Sequence, residues 1–238
     1  MIMLLTVNNM HVSYGAIKAL QGISISVKGG ECIAIVGGNG AGKTTLLKII
    51  SGLLKPSEGS ITFNGKNIVG MEPYNVAAEG IAHVPEGRRV FSALSVLDNL
   101  IMGSYLPSAK KDRSQSLEYM FSLFPKLEER QHQMAGTLSG GEQQMLAVAR
   151  GLMLKPKLLM LDEPSSGLAP IIVEQMYEKL AEVHAQSSMT MIVVEQNVPV
   201  ALSLADRGYV LENGSVMLSG NSNDLLNNPG VKEAYLGF

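Results

Sequence analysis

The first ninety residues show short alternations of apolar and polar positions that predict β-strands. Ile23, Ile25 and Val27 alternate with serines. Ile61 and Phe63 alternate in the same way and are followed by an Asn-Gly pair, which favours a two-residue hairpin turn.

A continuous apolar run at Cys32–Val36 predicts a different kind of strand. Strands buried on both faces have apolar side chains at successive positions, as in parallel sheets. We therefore expect Cys32–Val36 to lie inside a parallel sheet.

The pattern turns helical over about residues 91–155. Ser95 is predicted to cap a first helix, and Pro125 is predicted to stop a second one. The first helix is indicated by the helical spacing of Leu97, Leu100, Ile101 and Ser104, and the second by an apolar stripe of Leu117, Met120, Phe121 and Phe124. We interpret this region as a helical insertion whose Phe and Met side chains pack in the core.

From about residue 156 onward, strands and helices alternate again. The apolar runs Leu158–Leu161 and Met191–Val194 flank a helical stretch at Ile171–Val183, a spacing typical of a crossover in a parallel sheet. The pair Asn213-Gly214 between two apolar runs predicts a final hairpin. The fold class predicted is α/β.

Composition narrows the class of protein. The 238 residues are 46% hydrophobic and 17% charged, which excludes intrinsic disorder and favours one domain with an insertion. The net charge of −2 argues against a basic surface for nucleic acid. Cys32 is alone, so neither an internal disulfide nor a cysteine-built zinc site is expected.

Apolar tracts are too short to cross a membrane. The longest have five residues, whereas a spanning helix needs about 18 or more. Polar residues follow the tract Met1–Leu5 at once, so the start is not expected to be a secretory leader. We expect a protein that is soluble or that is held at a membrane by a partner.

A phosphate-binding loop is predicted at Gly37–Thr44, which reads Gly, four residues, then Gly-Lys-Thr. Glycines let successive backbone N–H groups point at phosphates, Lys43 adds positive charge, and the Thr44 hydroxyl suits Mg²⁺. The predicted nucleotide contacts in this motif are Gly37, Asn39, Gly40, Ala41, Gly42, Lys43, Thr44 and Thr45.

Two acids follow the predicted strand Leu158–Leu161. Asp162 at the strand tip can hold Mg²⁺, and Glu163 can orient and polarise an attacking water. Because neighbouring side chains of an extended strand point to opposite sides, we expect the two carboxylates to do different work.

A third motif, Leu138–Gln144, reads Leu-Ser-Gly-Gly-Glu-Gln-Gln. Ser139 and Glu142 have the spacing of a capping box, so a helix is predicted to begin here. Gly140 and Gly141 weaken a helix. They make sense if their backbone amides approach a group such as a phosphate.

The three motifs in this order resemble the ATP-binding cassette ATPases over nearly the whole chain. The resemblance implies a P-loop NTPase (RecA-like) core with an N-terminal antiparallel β subdomain and an inserted α-helical subdomain. It implies one domain over 1–238, with the nucleotide-binding core at 1–90 and 156–238 and the helical subdomain, which carries the third motif, at 91–155.

The same resemblance implies how ATP and Mg²⁺ are held. In this family two subunits sandwich each ATP in a head-to-tail dimer, so Ser139, Gly140 and Gly141 are expected to contact the γ-phosphate of an ATP held by the other subunit. Glu163 matches the catalytic glutamate, and Tyr14 falls where an aromatic side chain stacks on adenine.

Three positions depart from the common family pattern. The usual glutamine that links Mg²⁺ to a membrane partner is Glu86, the usual aspartate of the loop after the catalytic acid is Ala169, and the usual switch histidine is Gln196. Gln196 can still donate a hydrogen bond to a γ-phosphate, and Glu86 can still ligate Mg²⁺.

These departures resemble the LivF-type ATPase subunits of bacterial branched-chain amino-acid importers, as do the segments Pro85–Arg89, Ser165–Pro170, Val194–Asn197 and the final Ala234–Gly237. The resemblance implies a second ATPase subunit, different or identical, two transmembrane permease subunits and, indirectly, an external substrate-binding protein. It places the chain at the cytoplasmic face of the cell membrane as a peripheral subunit. Permease docking is expected at residues 91–135 and the Glu86 loop, including Arg88 and Arg89.

Other functions remain open from the sequence. Related importers of urea or amides use similar subunits, and a soluble cassette ATPase of cofactor assembly can have a similar length. A phosphate-loop kinase is disfavoured, because it has no use for the Leu-Ser-Gly-Gly motif or the Asp162-Glu163 pair.

Overall fold

The computed structural model describes residues 3–235, so Leu236 and Gly237 of the final motif lie outside the described residues. The strands are β1 Met3–Tyr14, β2 Ile17–Lys28, β3 Cys32–Val36, β4 Glu58–Phe63, β5 Lys66–Asn67, β6 Ile81–Val84, β7 Leu158–Asp162, β8 Thr190–Glu195, β9 Arg207–Glu212 and β10 Ser215–Asn221.

The helices are α1 Lys43–Ile50, α2 Pro73–Glu79, α3 Val96–Gly103, α4 Pro107–Lys110, α5 Arg113–Leu123, α6 Pro125–Glu129, α7 Gly140–Leu152, α8 Pro170–Ser187, α9 Val198–Leu204, α10 Ser222–Asn227 and α11 Pro229–Tyr235, with a 3₁₀ turn at Ala135–Thr137. Among residues 3–235, none of the helices combines the length and the apolar character that crossing a bilayer requires.

The N-terminal strands form an antiparallel sheet in the order β2-β1-β4-β5. Ile23, Ile25 and Val27 are buried, while the serines between them are exposed or half-buried, which confirms the predicted alternation. Asn64 and Gly65 join β4 to β5 with φ angles of 48° and 78°. These left-handed values are those that two-residue hairpin turns need.

A second sheet has the order β10-β9-β3-β8-β7-β6 and is parallel except for β10. The predicted buried strands Cys32–Val36, Leu158–Leu161 and Met191–Val194 are confirmed, and every residue of β3, β7 and β8 is buried. The last two strands extend further than predicted, to Asp162 and Glu195. Each of them therefore ends in a buried acid.

The second sheet separates two hydrophobic layers. Ile33 and Ile35 face the antiparallel sheet and α1, whereas Cys32, Ala34 and Val36 face the layer of helices that includes α3 and α5 to α9. Because both faces are covered, polar side chains find room only at the strand ends, where ligands bind in such sheets.

The helices from α3 to α7 lie between β6 and β7, within the stretch for which helices are predicted. Ser95 caps α3 as expected, accepting a hydrogen bond from the main-chain N–H three residues later at 3.0 Å. The buried face of α3 carries Val96 and Asn99 as well as Leu100, so the predicted apolar stripe is partly wrong. Asn99 is buried because its amide bonds to the main chain of Phe91 and Ser95.

Pro125 does end α5, but it also begins α6. Proline is favoured at the first position of a helix, where its missing N–H would have no partner anyway. In the second predicted stripe Met120 and Phe124 are buried, while Leu117 and Phe121 are half-buried. This stripe packs in the core, as predicted.

Candidate functional site

Four neighbouring strands end at one edge of the parallel sheet and carry the predicted chemistry there. The loop after β3 begins at Gly37, β7 ends in Asp162 with Glu163 following, β8 is followed by Gln196, and the segment after β6 contains Glu86. The carboxyl ends of parallel strands form one crevice. The structure therefore brings the phosphate loop, the two acids, Gln196 and Glu86 to the same edge of the sheet.

The phosphate loop joins β3 to α1, which begins at Lys43. Gly42 has a φ of 100°, and a Cβ there would lie 2.8 Å from the carbonyl oxygen of Ala19. A Cβ at Gly37 would lie 2.3 Å from the carbonyl oxygen of Leu211. Both positions thus require glycine, and the start of α1 faces the crevice as an anion site. Of the other predicted contacts, Asn39 and Gly40 are exposed, Thr44 and Thr45 are half-buried, and Ala41 is buried.

The Lys43 ammonium group is enclosed by this loop, with an exposed fraction of 4%. Its Nζ donates hydrogen bonds to the carbonyl oxygens of Gly37 at 2.8 Å and Gly38 at 3.1 Å. It also lies 3.1 Å from Oε1 of Glu163. An ammonium group has three N–H bonds to donate, so the two carbonyl oxygens and the Glu163 carboxylate occupy the N–H bonds that a phosphate would use.

Asp162 and Thr44 form a polar pair beside Lys43. The Thr44 hydroxyl donates a hydrogen bond to Oδ1 of Asp162 at 3.1 Å. Burial is the main cause that raises the pKa of the Asp162 carboxyl to about 6. The negative charges of Glu163 and Glu86 raise this pKa as well, while the hydrogen bond from Thr44 lowers it. A cation at this point would relieve the repulsion.

The oxygen atoms around Asp162 are suitable ligands for a small, hard cation. Mg²⁺ prefers oxygen ligands and is usually bound by one or two carboxylates together with waters and substrate phosphates. The Thr44 hydroxyl and the Asp162 carboxylate are such ligands, and Glu86 is an exposed carboxylate at the same edge. In the described part of the chain, no three His, Cys, Asp or Glu side chains meet in a metal-binding group. The residues present fit an Mg²⁺ that arrives with a nucleotide.

Glu163 lies outside the strand. β7 ends at Asp162, and Glu163 has a φ of 45°. Contrary to the prediction, Asp162 and Glu163 are therefore not separated by strand alternation, although the two carboxylates do have different partners, Thr44 and Lys43. The backbone N–H of Glu163 donates to the carbonyl oxygen of Val194 at 2.9 Å. A non-glycine residue in this left-handed region costs about 1–2 kcal/mol, so its surroundings must hold it.

Gln196 directly follows β8 and is exposed. Together with Glu163, Ser165 and Asn197 it lines a depression of about 540 Å³. Asn197 caps α9, its side-chain oxygen accepting a hydrogen bond from the N–H of Val200 at 3.3 Å. The structure thus places the two predicted catalytic side chains, Glu163 and Gln196, in the same depression.

Glu195 is a buried acid that the motifs do not single out. Only 2% of its surface is exposed, and its carboxylate accepts hydrogen bonds from the N–H of Ser165 at 2.9 Å, the hydroxyl of Ser165 at 2.8 Å and the hydroxyl of Tyr177 at 3.0 Å. Burial is the main cause that raises its pKa. The signal was present in the sequence, since Glu195, like Asp162, ends a wholly apolar run.

The third motif forms the start of α7, as predicted. The N–H of Ser139 donates to Oε2 of Glu142 at 2.9 Å, and the N–H of Glu142 donates to the Ser139 hydroxyl at 3.4 Å. Both halves of the capping box are present. A Cβ at Gly141 would lie 2.7 Å from Cγ2 of Ile172. Close packing within the chain is therefore a second reason for one of the two glycines.

Arg88 also lies against the start of α7. Its Nη2 donates a hydrogen bond to the carbonyl oxygen of Gly167 at 2.6 Å. A Cβ at Gly140 would lie 2.2 Å from its Nη1. Arg88 is thus engaged inside the chain and half-buried, whereas Arg89 is exposed.

Tyr14 lies at the end of β1, with an exposed fraction of 47%. It pairs with Ile17 across the hairpin to β2. Further along β2, Ala19 and Leu20 lie against Gly42 of the phosphate loop. Tyr14 is therefore carried by a hairpin that touches the loop, and its ring is accessible.

Known proteins share this architecture and sequence. A family model described as ABC transporter matches residues 20–166. A high-affinity branched-chain amino acid transport ATP-binding protein, BraG of Pseudomonas aeruginosa, is 48% identical over 98% of this chain and 100% of its own length. The probable branched-chain amino acid transport ATP-binding protein LivF of Archaeoglobus fulgidus is 35% identical over 96% of this chain and 97% of its own.

Solved structures agree with these relatives. The ADP conformation of MJ1267, an ATP-binding cassette of an ABC transporter, has a TM-score of 0.85 and 30% identity and covers 100% of both chains. A dimeric post-hydrolysis state of the ATP-binding cassette MJ0796, bound to ADP and Pi, has a TM-score of 0.76 and 25% identity, covering 92% of this chain and 98% of its own.

Proposed function

This chain belongs to the ABC transporter family, and we propose that it is the ATP-hydrolysing subunit of an importer for branched-chain amino acids. The observation that carries the ATPase assignment is the convergence of the phosphate loop with Asp162 and Glu163 at the carboxyl ends of β3 and β7, the two strands that flank β8. The transported substrate rests on the names of the relatives that are 48% and 35% identical.

ATP binding begins with an exchange of partners at Lys43. The ammonium group leaves Glu163 and the two loop carbonyls and binds oxygens of the outer phosphates. Backbone N–H groups of the loop and the start of α1 bind the remaining phosphate oxygens. Until phosphate arrives, the ion pair with Lys43 keeps the Glu163 carboxylate occupied. Phosphate binding then frees this carboxylate to act as the base.

Hydrolysis follows by attack of water on the γ-phosphorus. Glu163 orients that water and accepts its proton while the bond between the γ-phosphorus and the oxygen of the leaving ADP breaks. Gln196, which lines the same depression, donates an amide hydrogen bond to a γ-phosphate oxygen. Because a glutamine side chain does not titrate, this contact stabilises negative charge without moving a proton.

Mg²⁺ is bound by the Thr44 hydroxyl and the Asp162 carboxylate, and Glu86 offers a further carboxylate at the same edge. When bound, the ion neutralises part of the phosphate charge. The raised pKa of Asp162 is consistent with a site that is completed by a cation.

A second cassette completes the site. Ser139, Gly140 and Gly141 contact the γ-phosphate of an ATP held by the partner, which is a different ATPase subunit or a second copy of this chain. The capped start of α7 presents backbone N–H groups for this contact. The accessible ring of Tyr14 stacks on adenine.

Permease subunits dock in a groove beside β6. The groove has a volume of about 420 Å³, and its rim carries Phe91, Met102 and Tyr105 with exposed fractions of 47%, 47% and 51%. The Arg150 guanidinium lies 4.7 Å from the centre of the Phe91 ring and supports it. Large exposed apolar side chains in one patch mark a contact surface.

Two such permease subunits hold this chain at the cytoplasmic face of the membrane, and an external binding protein delivers the amino acid to them.

We assign the chain to a single domain, 1–238, in which residues 91–155 form the helical subdomain that carries the third motif. Residues 1–90 and 156–238 form the nucleotide-binding core with its antiparallel sheet. Nucleic acid is not a partner.

A membrane pull-down tests this proposal. Tagged Glu163→Gln protein in ATP and Mg²⁺ is expected to retain two multi-span proteins and a second cassette. Adding Met102→Asp in the groove is expected to release the multi-span proteins. Adding Met217→Asp, an equally polar change at an exposed methionine on the opposite edge of the sheet, is not.

The substrate is tested with the intact transporter. Uptake of leucine, isoleucine and valine that depends on Glu163 supports the proposal. Uptake of urea or short amides alone contradicts the substrate assignment. A partner set without any membrane protein contradicts the transport role and favours a soluble cassette ATPase.

A further inference from the structure

The loop Pro164–Gly167, which follows Glu163, is held at its beginning by a buried carboxylate. Glu195 accepts hydrogen bonds from both the N–H and the hydroxyl of Ser165, at 2.9 and 2.8 Å. The Tyr177 hydroxyl from α8 donates to the same carboxylate at 3.0 Å. With only 2% of Glu195 exposed, water competes little with these bonds.

The same loop is held at its end by a guanidinium group from another part of the chain. Arg88 donates a hydrogen bond to the carbonyl oxygen of Gly167 at 2.6 Å. Arg88 lies in the segment after β6, whereas Glu195 ends β8, so the two side chains reach the loop from strands on either side of β7. Hydrogen bonds from charged groups are roughly twice as strong as neutral ones.

The conformation of Glu163 explains why such a support is needed. Glu163 has a φ of 45°, and its backbone donates a hydrogen bond to the carbonyl oxygen of Val194 and accepts one from the N–H of Ser166 at 3.1 Å. Strained backbone persists only where surrounding structure over-determines it. A loop free at Ser165 and Gly167 could relax Glu163 to an ordinary φ and turn its carboxylate away.

We propose that Arg88 and Glu195 are positioning residues that clamp the loop Pro164–Gly167 and thereby hold the Glu163 carboxylate in its working place. Neither side chain contacts the reacting atoms. The clamp rests on the proposed role of Glu163 as the base. Because Arg88 also lies against Gly140, the clamp joins the loop to the start of α7 as well.

The first test compares Arg88→Ala with Arg89→Ala in the full chain without permease subunits, so that the docking role expected of Arg89 has no effect on the measurement. The neighbouring Arg89 is a matched control, since its Nε makes one long bond of 3.3 Å to the carbonyl oxygen of Glu86. Arg88→Ala is expected to lower kcat by about 10- to 100-fold, because small misplacements of a catalytic group have effects of that order. The affinity for a fluorescent ATP analogue is expected to stay within about twofold of wild type, since the phosphate loop is untouched.

Hydrogen exchange of a peptide covering residues 163–169 reads the clamp directly. Arg88→Ala is expected to speed exchange in this peptide, whereas Arg89→Ala is not. Arg88→Lys is expected to retain only part of the wild-type kcat, because an ammonium group lacks the reach of the forked guanidinium group. Glu195→Gln keeps the bond to the Ser165 N–H and is expected to lose less kcat than Glu195→Ala. If Glu195→Ala does not fold, the Arg88 variants decide.

Wild-type kcat and wild-type exchange in Arg88→Ala would overturn the clamp. So would a loss of ATP affinity equal to the loss of kcat, which would point to the binding site instead. A wild-type chain that neither binds nor hydrolyses ATP would instead refute the proposed function, so the two failures are distinguishable.

Discussion

Replacing Glu163 by glutamine should tighten ADP binding and slow hydrolysis. The Glu163 carboxylate lies 3.1 Å from Nζ of Lys43 and therefore competes with phosphate for this ammonium group. Glutamine keeps the shape of the side chain but removes the charge, so the ammonium group becomes easier to transfer to a phosphate. Hydrolysis, in contrast, loses its general base and should fall by about 10²–10⁴-fold.

The size of the gain follows from the geometry. Two unit charges 3.1 Å apart attract by about 5 kcal/mol at an effective dielectric constant of about 20. Desolvation cancels most of that, because the side chains of Lys43 and Glu163 are only 4% and 14% exposed. The ion pair then keeps a net stabilisation of about 1–2 kcal/mol, which ADP must overcome to bind Lys43. Removing it corresponds to a decrease of roughly 5- to 30-fold in the dissociation constant of ADP.

Isothermal titration calorimetry with ADP measures this effect. ADP is preferred to ATP because it lacks the γ-phosphate through which a second cassette would add affinity. Glu174→Gln, the same change of charge on the exposed face of α8, is the control and should leave the ADP affinity unchanged. Unchanged or weaker ADP binding by Glu163→Gln would refute the exchange of partners at Lys43.

Three further predictions concern stability and pH. Gly37→Ala should lower the free energy of unfolding in urea by about 1–3 kcal/mol, because its Cβ would lie 2.3 Å from the Leu211 carbonyl oxygen; wild-type stability would contradict that close approach. Since burial raises the pKa of Asp162 from 3.8 to about 6, its contribution to stability is greatest below pH 3.8 and is lost as the pH rises through about 6. Asp162→Asn should therefore raise Tm at neutral pH. Titrations with Mg²⁺ should show that wild-type nucleotide binding needs a higher Mg²⁺ concentration as the pH falls below about 6, because protons then compete with the ion for the Asp162 carboxylate. Glu142→Ala should destabilise the chain by about 1 kcal/mol, seen as a lower Tm, because Ser139 loses half of its capping box, and Glu142→Gln should retain most of it.

The features that the sequence predicts well are those set by residues close together in the chain. The Asn64-Gly65 turn and the capping box of Ser139 and Glu142 form as predicted, and the predicted loop Gly37–Thr44 joins β3 to α1. Each depends on the backbone preferences of two to eight neighbouring residues, which the local sequence contains in full.

Predictions that needed an exact backbone path were less accurate. The buried face of α3 includes Asn99, because that amide finds main-chain partners that no hydrophobic pattern reveals. The strand β7 ends before Glu163, whereas the prediction from alternating side chains needs Glu163 to lie in the strand. Glu163 has a different partner from Asp162 because the chain turns at this residue. The roles of Tyr14 and Gln196 stay predictions: the structure shows that Tyr14 is 47% exposed and that Gln196 lines the same depression as Glu163.

The sequence by itself determined the phosphate loop, the acids after β7, the capped start of α7 and the α/β class, since each follows from short-range spacing and apolar runs. Only the tertiary structure decided that Glu195 bonds to Ser165, 30 positions away, and that Arg88 bonds to Gly167, 79 positions away. Those contacts depend on the order β8-β7-β6 in the sheet and on the turn at Glu163. Strand order comes from packing both faces of the whole sheet, to which each local segment contributes only a part.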